Sequence, residues 1–106
     1  MGIDRIIITV MSGADDGKIF ELDKVPFMIG RNADDDVYLP YDARVSRHHA
    51  RITREEKSYL IEDVGSEGKG SSNKTYVNEK MTEGKTPISS GDMVLLGNVW
   101  IKFMTN

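Results

Sequence analysis

Short apolar segments, each bounded by turn residues, follow one another along the whole chain. No long stretch repeats its apolar residues at the 3.6-residue period of a helix, so the pattern favours strands. Extended structure is predicted at residues 5–11, 18–22, 27–30, 37–39, 47–53, 58–64, 75–78, 93–96 and 99–103. In the last segment Val99, Ile101 and Phe103 alternate with Trp100 and Lys102, as expected of a strand with one buried face.

Turn residues join these segments into a sheet-rich fold. Residues 47–53 and 58–64 are predicted to pair as one hairpin, and Gly97-Asn98 is predicted to turn a closing hairpin. Residues 65–72 are rich in glycine and serine, which predicts a loop. Many short strands in a chain of 106 residues indicate an all-β fold, either a two-layer sandwich or a barrel.

Length and composition restrict the class of protein. The chain is predicted to form one domain, residues 1–106 with a core over about 6–103, that needs no disulfide or metal. The absence of cysteine excludes a disulfide scaffold, a zinc ribbon and a thiol nucleophile, and it suits a cytoplasmic location. Because no apolar run is long enough to span a bilayer, no membrane segment is expected.

The charge balance bears on the partners. The formal net charge is -3, whereas a general nucleic-acid or anionic-membrane binder needs a basic face. Neither nucleic acid nor a membrane is therefore expected as a partner. Any anion must instead bind where a few cations are concentrated.

Three loop-forming clusters carry side chains that suit an anion. They are Gly30-Arg31, Ser46-Arg47-His48-His49 and Ser72-Asn73-Lys74. A phosphate dianion favours planar guanidinium donors together with neutral donors such as hydroxyls. An asparagine can both donate to a peptide carbonyl and accept from an amide, which orients an extended ligand. Because the clusters contain no nucleophile paired with a base, they suit holding an anion more than transforming one.

The order and separation of these clusters resemble the forkhead-associated (FHA) domain. The motifs are Gly30-Arg31, Ser46-x-x-His49 and Asn73 followed by Thr75-Tyr76-Val77-Asn78, with Asp36-Val37-x-Leu39, Asp63, Gly91-Asp92 and Leu96-Gly97 around them. The resemblance extends from about residue 6 to residue 103. It implies a sandwich of two mostly antiparallel β-sheets whose loops at one end bind phosphothreonine peptides. It also implies an adaptor in kinase signalling that is not an enzyme, uses no cofactor and is monomeric as an isolated domain.

The resemblance also assigns roles to individual residues. It implies that Arg31 and Ser46 bind phosphate, that Arg47 and Ser72 add contacts beside them, and that Asn73 binds the ligand backbone. Three further residues would support the loops, namely Gly30, His49 and Asn78. Arg44 lies where family members contact the side chain three residues after the phosphothreonine, and we hypothesise a preference for an acidic residue there.

Each role has a plainer alternative. Ser46, Ser72 and Asn73 could be turn residues that bond only to local backbone, and Arg47 could point into solvent. His48 and His49 suggest a metal site, but neighbouring strand residues point to opposite faces and cannot easily share an ion. The aspartates at 34–36 lack the glycine and distal glutamate of a calcium loop and are predicted to be solvated.

Two departures from the family pattern concern the third cluster. Lys74 stands where the family usually has glycine, and a positive φ there would cost about 1 kcal/mol or more. The lysine could instead add a cation near the phosphate. Residues 65–71 also form a longer approach to Asn73 than is usual.

Two other functions remain open. The first is a phosphate-independent docking or oligomerisation module that uses a sheet face, for which Trp100 and Leu95 are exposed apolar candidates. The second is a hydrolase that uses His49 with an aspartate. The hydrolase lacks both a paired nucleophile and a metal set.

Overall fold

The structure is a computed structural model and describes residues 5–65 and 70–106. These residues contain eleven strands. The strands are β1 (Ile6–Val10), β2 (Ile19–Leu22), β3 (Phe27–Gly30), β4 (Val37–Tyr38), β5 (Ala50–Glu55), β6 (Ser58–Asp63), β7 (Thr75–Val77), β8 (Lys80–Met81), β9 (Thr86–Ile88), β10 (Met93–Leu96) and β11 (Val99–Thr105). No helix in these ranges has the length and apolar character needed to cross a bilayer.

The strands form two sheets. Sheet A has the order β2-β1-β11-β10-β7-β8, and sheet B has the order β4-β3-β5-β6-β9. The paired strands are antiparallel apart from β3 and β4, which run parallel. The predicted all-β, mostly antiparallel two-sheet sandwich is therefore confirmed.

The core lies between the sheets, and alternation along the strands explains how it forms. Val99, Ile101 and Phe103 of β11 are buried, as predicted, and the ring of Phe103 meets that of Tyr59 edge-on across the two sheets at 5.5 Å. Residues from both sheets, such as Ile8 and Phe103 from one and Ile52 from the other, belong to one continuous cluster. Burial of this cluster is the largest favourable contribution to folding.

Two strands were not predicted from the sequence, and the reason is clear for each. The β8 strand has only two residues, both exposed, so it carries no alternation. The β9 strand contains Pro87, which usually argues against a strand. The proline is tolerated because β9 lies at the edge of sheet B.

Two predicted strand boundaries are wrong because residues there have positive φ. The predicted strand at 47–53 begins only at Ala50, because His48 has a positive φ of 52°. The segment 75–78 ends as a strand at Val77, because Asn78 and Glu79 have φ values of 48° and 73°. Two consecutive positive φ values are typical of the tight two-residue turn of a hairpin, here between β7 and β8.

Strand register brings several polar loops to one end of the sandwich. Ile29 pairs with Ala50, Ala50 with Asp63, and Thr75 with Leu96. The ends of β3, β6 and β10 therefore lie beside the starts of β5 and β7. We call this the loop end, and it consists of residues 31–36, 39–49, 70–74 and the turn at 97–98.

Candidate phosphate-binding site

Arg31 follows β3 directly and is held against the loop before β5. Its backbone N–H donates to the Ser46 carbonyl at 3.1 Å, and its Nε donates to the Val45 carbonyl at 2.8 Å. The residue is exposed, and its two terminal nitrogens donate to no described residue. The guanidinium is therefore held in place through Nε, while the four N–H bonds of its two terminal nitrogens remain available to a ligand.

Ser46 lies next to Ser72 at the loop end. The Ser72 backbone N–H donates to Ser46 Oγ at 3.4 Å, which brings the second and third clusters of the sequence together. Ser46 is half-buried and Ser72 is exposed. Both hydroxyls can act as neutral donors, and the Arg31 guanidinium is held close by through its bond to the carbonyl of Val45, the residue before Ser46.

Asn73 connects the same two loops. Its Nδ2 donates to the Arg44 carbonyl at 3.0 Å, and its side-chain oxygen accepts from no described residue. Asn73 is exposed. One amide hydrogen and the oxygen thus remain free to pair with the backbone of an extended ligand.

Arg44 and Arg47 lie on either side of Ser46 and are both exposed. Their side chains form no hydrogen bond or ion pair with the described residues. The loop end therefore presents the guanidinium groups of Arg31, Arg44 and Arg47, the last two on the segment that also carries the Ser46 hydroxyl. These cations are a local feature, because the loop end also carries four aspartates and the net charge of the chain is -3.

His49 links the loops from inside. It is 0% exposed, its Nδ1 accepts from the Ser46 N–H at 2.9 Å, and its Nε2 lies 2.7 Å from the Lys74 carbonyl. An Nδ1 that accepts must be unprotonated, so the ring is neutral and Nε2 donates. Burial lowers the pKa of His49, although the Lys74 carbonyl and the Asp63 carboxylate act in the opposite direction.

Asp63 at the end of β6 organises the loop before β7, a role that the sequence did not assign. It accepts hydrogen bonds from the Ser71 backbone and hydroxyl and from Thr75 Oγ1, the last at 2.8 Å. Ser71 and Thr75 are 2% and 0% exposed. Burial raises the pKa of Asp63, but the hydrogen bonds from Ser71 and Thr75 outweigh it, and the pKa is lowered.

The aspartate run also differs from expectation. Asp35, predicted to be solvated, is 5% exposed and accepts from the backbone N–H groups of Asn32 at 3.0 Å and His48 at 3.1 Å. Its other oxygen pairs with Nδ1 of His48. His48 thus faces Asp35 while His49 faces Asp63, although both histidines precede the strand in which they had been placed. The described residues contain no group of three side chains arranged to hold a metal.

Gly30 lies where two backbones approach closely. A Cβ at this position would lie 2.5 Å from the His48 nitrogen and 2.9 Å from the His49 nitrogen. Any side chain would therefore push the loop before β5 away from Arg31.

Lys74 and Asn78 occupy the two ends of β7. Lys74 is exposed and has φ 64°, the left-handed conformation considered for this position from the sequence. Asn78 lies at the other end, where Nδ2 donates to Asp92 Oδ1 at 3.0 Å and Oδ1 accepts from the Met93 N–H at 3.0 Å. It supports the turn after β7 and lies away from Arg31 and Ser46.

An all-β sandwich with uncommitted cationic and hydroxyl donors on hydrogen-bonded loops defines a loop-based binding module. The FHA domain model matches residues 27–97, and the chain belongs to this family. It is 35% identical over 98 residues to the oxoglutarate dehydrogenase inhibitor of Corynebacterium diphtheriae, covering 92% of this chain but 64% of that protein. The chain thus spans less than two thirds of this relative.

Solved structures agree with the family. The FHA domain of the CT664 protein from Chlamydia trachomatis is 30% identical with a TM-score of 0.79, over 94% of this chain and 96% of that one. A domain from a structural and functional analysis of phosphothreonine-dependent FHA domain interactions is 26% identical, also with a TM-score of 0.79. That match covers 96% of this chain and 97% of the other.

Proposed function

We propose that the chain is a phosphothreonine-dependent peptide-binding module that acts as an adaptor in kinase signalling. The observation that carries this proposal is the Arg31 side chain, anchored through Nε to the Val45 carbonyl, with terminal nitrogens that donate to none of the described residues. Such a fork binds phosphate oxygens in a bidentate manner. Phosphorylation of a partner would supply the charge and acceptor oxygens that engage it.

Different donors would bind different parts of the phosphopeptide. Arg31, Ser46 and Ser72 would bind the phosphate, and Arg47 would add a second cation from the adjoining position. Asn73 would hold the peptide backbone through its free oxygen and its second amide hydrogen. This division follows the hydrogen bonds of the loops, since Arg31 is bonded to the Ser46 carbonyl and Asn73 to the Arg44 carbonyl.

The module would act by binding and not by catalysis. His49 is buried and both of its ring nitrogens are engaged, so it is not free to take a proton from a substrate. The relative from C. diphtheriae is named as an inhibitor, which is in line with a regulatory role. A cytoplasmic location and a monomeric state stay predictions.

Calorimetry with three peptides that differ only at one residue tests the proposal. A phosphothreonine peptide should bind, the unmodified peptide should not, and the phosphoserine peptide should bind more weakly. Arg31→Ala and the charge-retaining Arg31→Lys should both lose binding, because neither can form the anchored fork. Arg5→Ala removes another exposed arginine, at the end of β1 away from the loop end, and should leave affinity unchanged. Equal affinity for all three peptides would refute phosphate dependence.

One observation favours a second candidate function, a phosphate-independent docking module. On the outer face of sheet A, Met81, Tyr76, Leu95 and Trp100 lie side by side on four neighbouring strands. Met81 is 48% exposed, while Leu95 and Trp100 are half-buried. Partner binding that survives Arg31→Ala and phosphatase but is lost in Leu95→Glu would establish this function. Binding lost in Arg31→Ala alone would exclude it.

A further inference from the structure

A groove lies beside the candidate phosphate site at the same end of the sandwich. Its volume is about 360 Å³, and it opens between the β1–β2 loop, the segment after β4 and the β10–β11 turn. The residues that line it include two aromatic ones, Tyr41 and Trp100, and two acidic ones, Asp15 and Asp42. None of the described residues that line it is cationic.

Hydrogen bonds hold the walls of this groove in place. The Met11 N–H donates to the Trp100 carbonyl at 2.8 Å, and the Trp100 N–H donates to Ser12 Oγ at 2.9 Å. The Asp15 carbonyl accepts from the Lys18 N–H at 2.9 Å within the same loop. The groove is therefore preformed, which reduces the cost of ordering it around a ligand.

Each carboxylate of the groove has at least one oxygen without a partner among the described residues. The Asp15 carboxylate has no partner among the described residues. Asp42 uses Oδ1 to accept from the Arg44 N–H at 2.8 Å, which leaves its second oxygen available. Tyr41 is 73% exposed. Carboxylates next to aromatic faces bind an ammonium or guanidinium group through ion pairing and cation–π attraction together.

The groove is continuous with the loop that would bind the peptide. Asp42 bonds to Arg44, whose carbonyl is held by Asn73. Gly97, in the β10–β11 turn, lies close to Arg44, since a Cβ at Gly97 would be 2.5 Å from the Arg44 carbonyl carbon. The residue after Gly97, Asn98, lines the groove. A peptide that passes Arg44 would therefore enter the groove directly.

We propose that this groove binds a lysine or arginine side chain of the same phosphopeptide, C-terminal to the position that Arg44 would contact. The inference rests on the proposed function, because the phosphate delivers the peptide to this end of the sandwich. The ligand would thus carry a phosphothreonine followed, a few residues later, by a basic residue. An acidic groove next to the cationic phosphate site would also fix the direction in which the peptide binds.

Trp100 makes the test direct, because it is the only tryptophan in the chain and lines the groove. Phosphothreonine peptides with a single lysine at the fourth, fifth or sixth following position are compared with the same peptides carrying norleucine. The lysine at one of these positions should raise affinity about three- to tenfold and should change Trp100 emission. Lysine placed equally far on the N-terminal side controls for the attraction of a basic peptide to an acidic protein.

Matched variants separate the groove from overall charge. Asp15→Asn and Asp42→Asn should each reduce the lysine preference, and together they should abolish it. Asparagine at 42 keeps the acceptor that bonds to Arg44. Asp16→Asn makes the same change of charge at an exposed neighbour that does not line the groove, and it should leave the preference intact.

The outcomes are distinct. Phosphopeptide binding that depends on Arg31 but shows no preference for lysine overturns this inference and leaves the proposed function standing. A preference that Asp16→Asn reduces as much as Asp15→Asn overturns it as well, since the effect would then be one of net charge. If no phosphothreonine peptide binds, the proposed function fails and the inference fails with it.

Discussion

Lys74 carries backbone strain that a single substitution can relieve. Its φ of 64° brings the Cβ of an L-residue close to the following carbonyl oxygen, which costs roughly 1–2 kcal/mol. Lys74→Gly removes that contact but gives the unfolded chain more freedom, which offsets about 0.4–1 kcal/mol. The net expectation is a gain of about 0.5–1 kcal/mol in the free energy of unfolding. For a domain of this size the midpoint should rise by roughly 2–6 °C.

Two further variants isolate the backbone effect in thermal and urea unfolding. Lys74→Ala removes the amine but keeps the Cβ, so its stability should stay close to that of the unmodified protein. Lys80→Gly places glycine in β8, where φ is ordinary, and should destabilise by about 0.5–1 kcal/mol. If Lys74→Gly is no more stable than Lys74→Ala, the argument from strain is wrong. Phosphopeptide affinities of the same variants show whether the amine contributes a phosphate contact.

Three other outcomes are expected from the loop interactions. Burial lowers the pKa of His49 below its usual 6.5, so the unfolded chain binds a proton that the folded one does not. The free energy of unfolding should therefore fall as the pH drops below about 6.5, and His49→Gln should flatten that part of a urea-unfolding pH series; an unchanged profile would contradict the assignment. Gly30→Ala should cost roughly 1–3 kcal/mol and weaken phosphopeptide binding in calorimetry, since its Cβ meets backbone at 2.5 Å; wild-type affinity would refute the close approach. Asp63→Asn should cost about 1–3 kcal/mol in thermal unfolding, because buried donors on Ser71 and Thr75 lose a charged acceptor; a neutral result would show that the loop does not depend on that charge.

The sheets were predictable because alternation reports directly on which face of a strand is buried. Val99, Ile101 and Phe103 illustrate this, as each is at most 6% exposed. The loops were predictable only in composition. Nothing in the run of aspartates distinguishes Asp35, which is buried, from Asp34, which is exposed. The difference arises from the close approach of His48, which belongs to another loop.

The candidate site shows the same limit. Motif spacing could indicate Arg31, Ser46 and Asn73 as a group, and the strand register brings their loops to one end. Motif spacing could not indicate that Asn73 already donates to the Arg44 carbonyl, because that contact joins residues 29 positions apart. Asp63 was indicated only as part of the family pattern and without a role, since an acidic residue at the end of a strand is common. Its role depends on the buried Ser71.

The bond between Asn73 and the Arg44 carbonyl has a kinetic consequence. Together with the His49 contacts it cross-links the loops before any ligand arrives, so association need not wait for a rearrangement. Encounter would then be limited by diffusion and orientation, and differences in affinity between peptides would appear mainly as differences in residence time. In a cell, such a module would follow the rise and fall of its phosphorylated partner with little delay of its own.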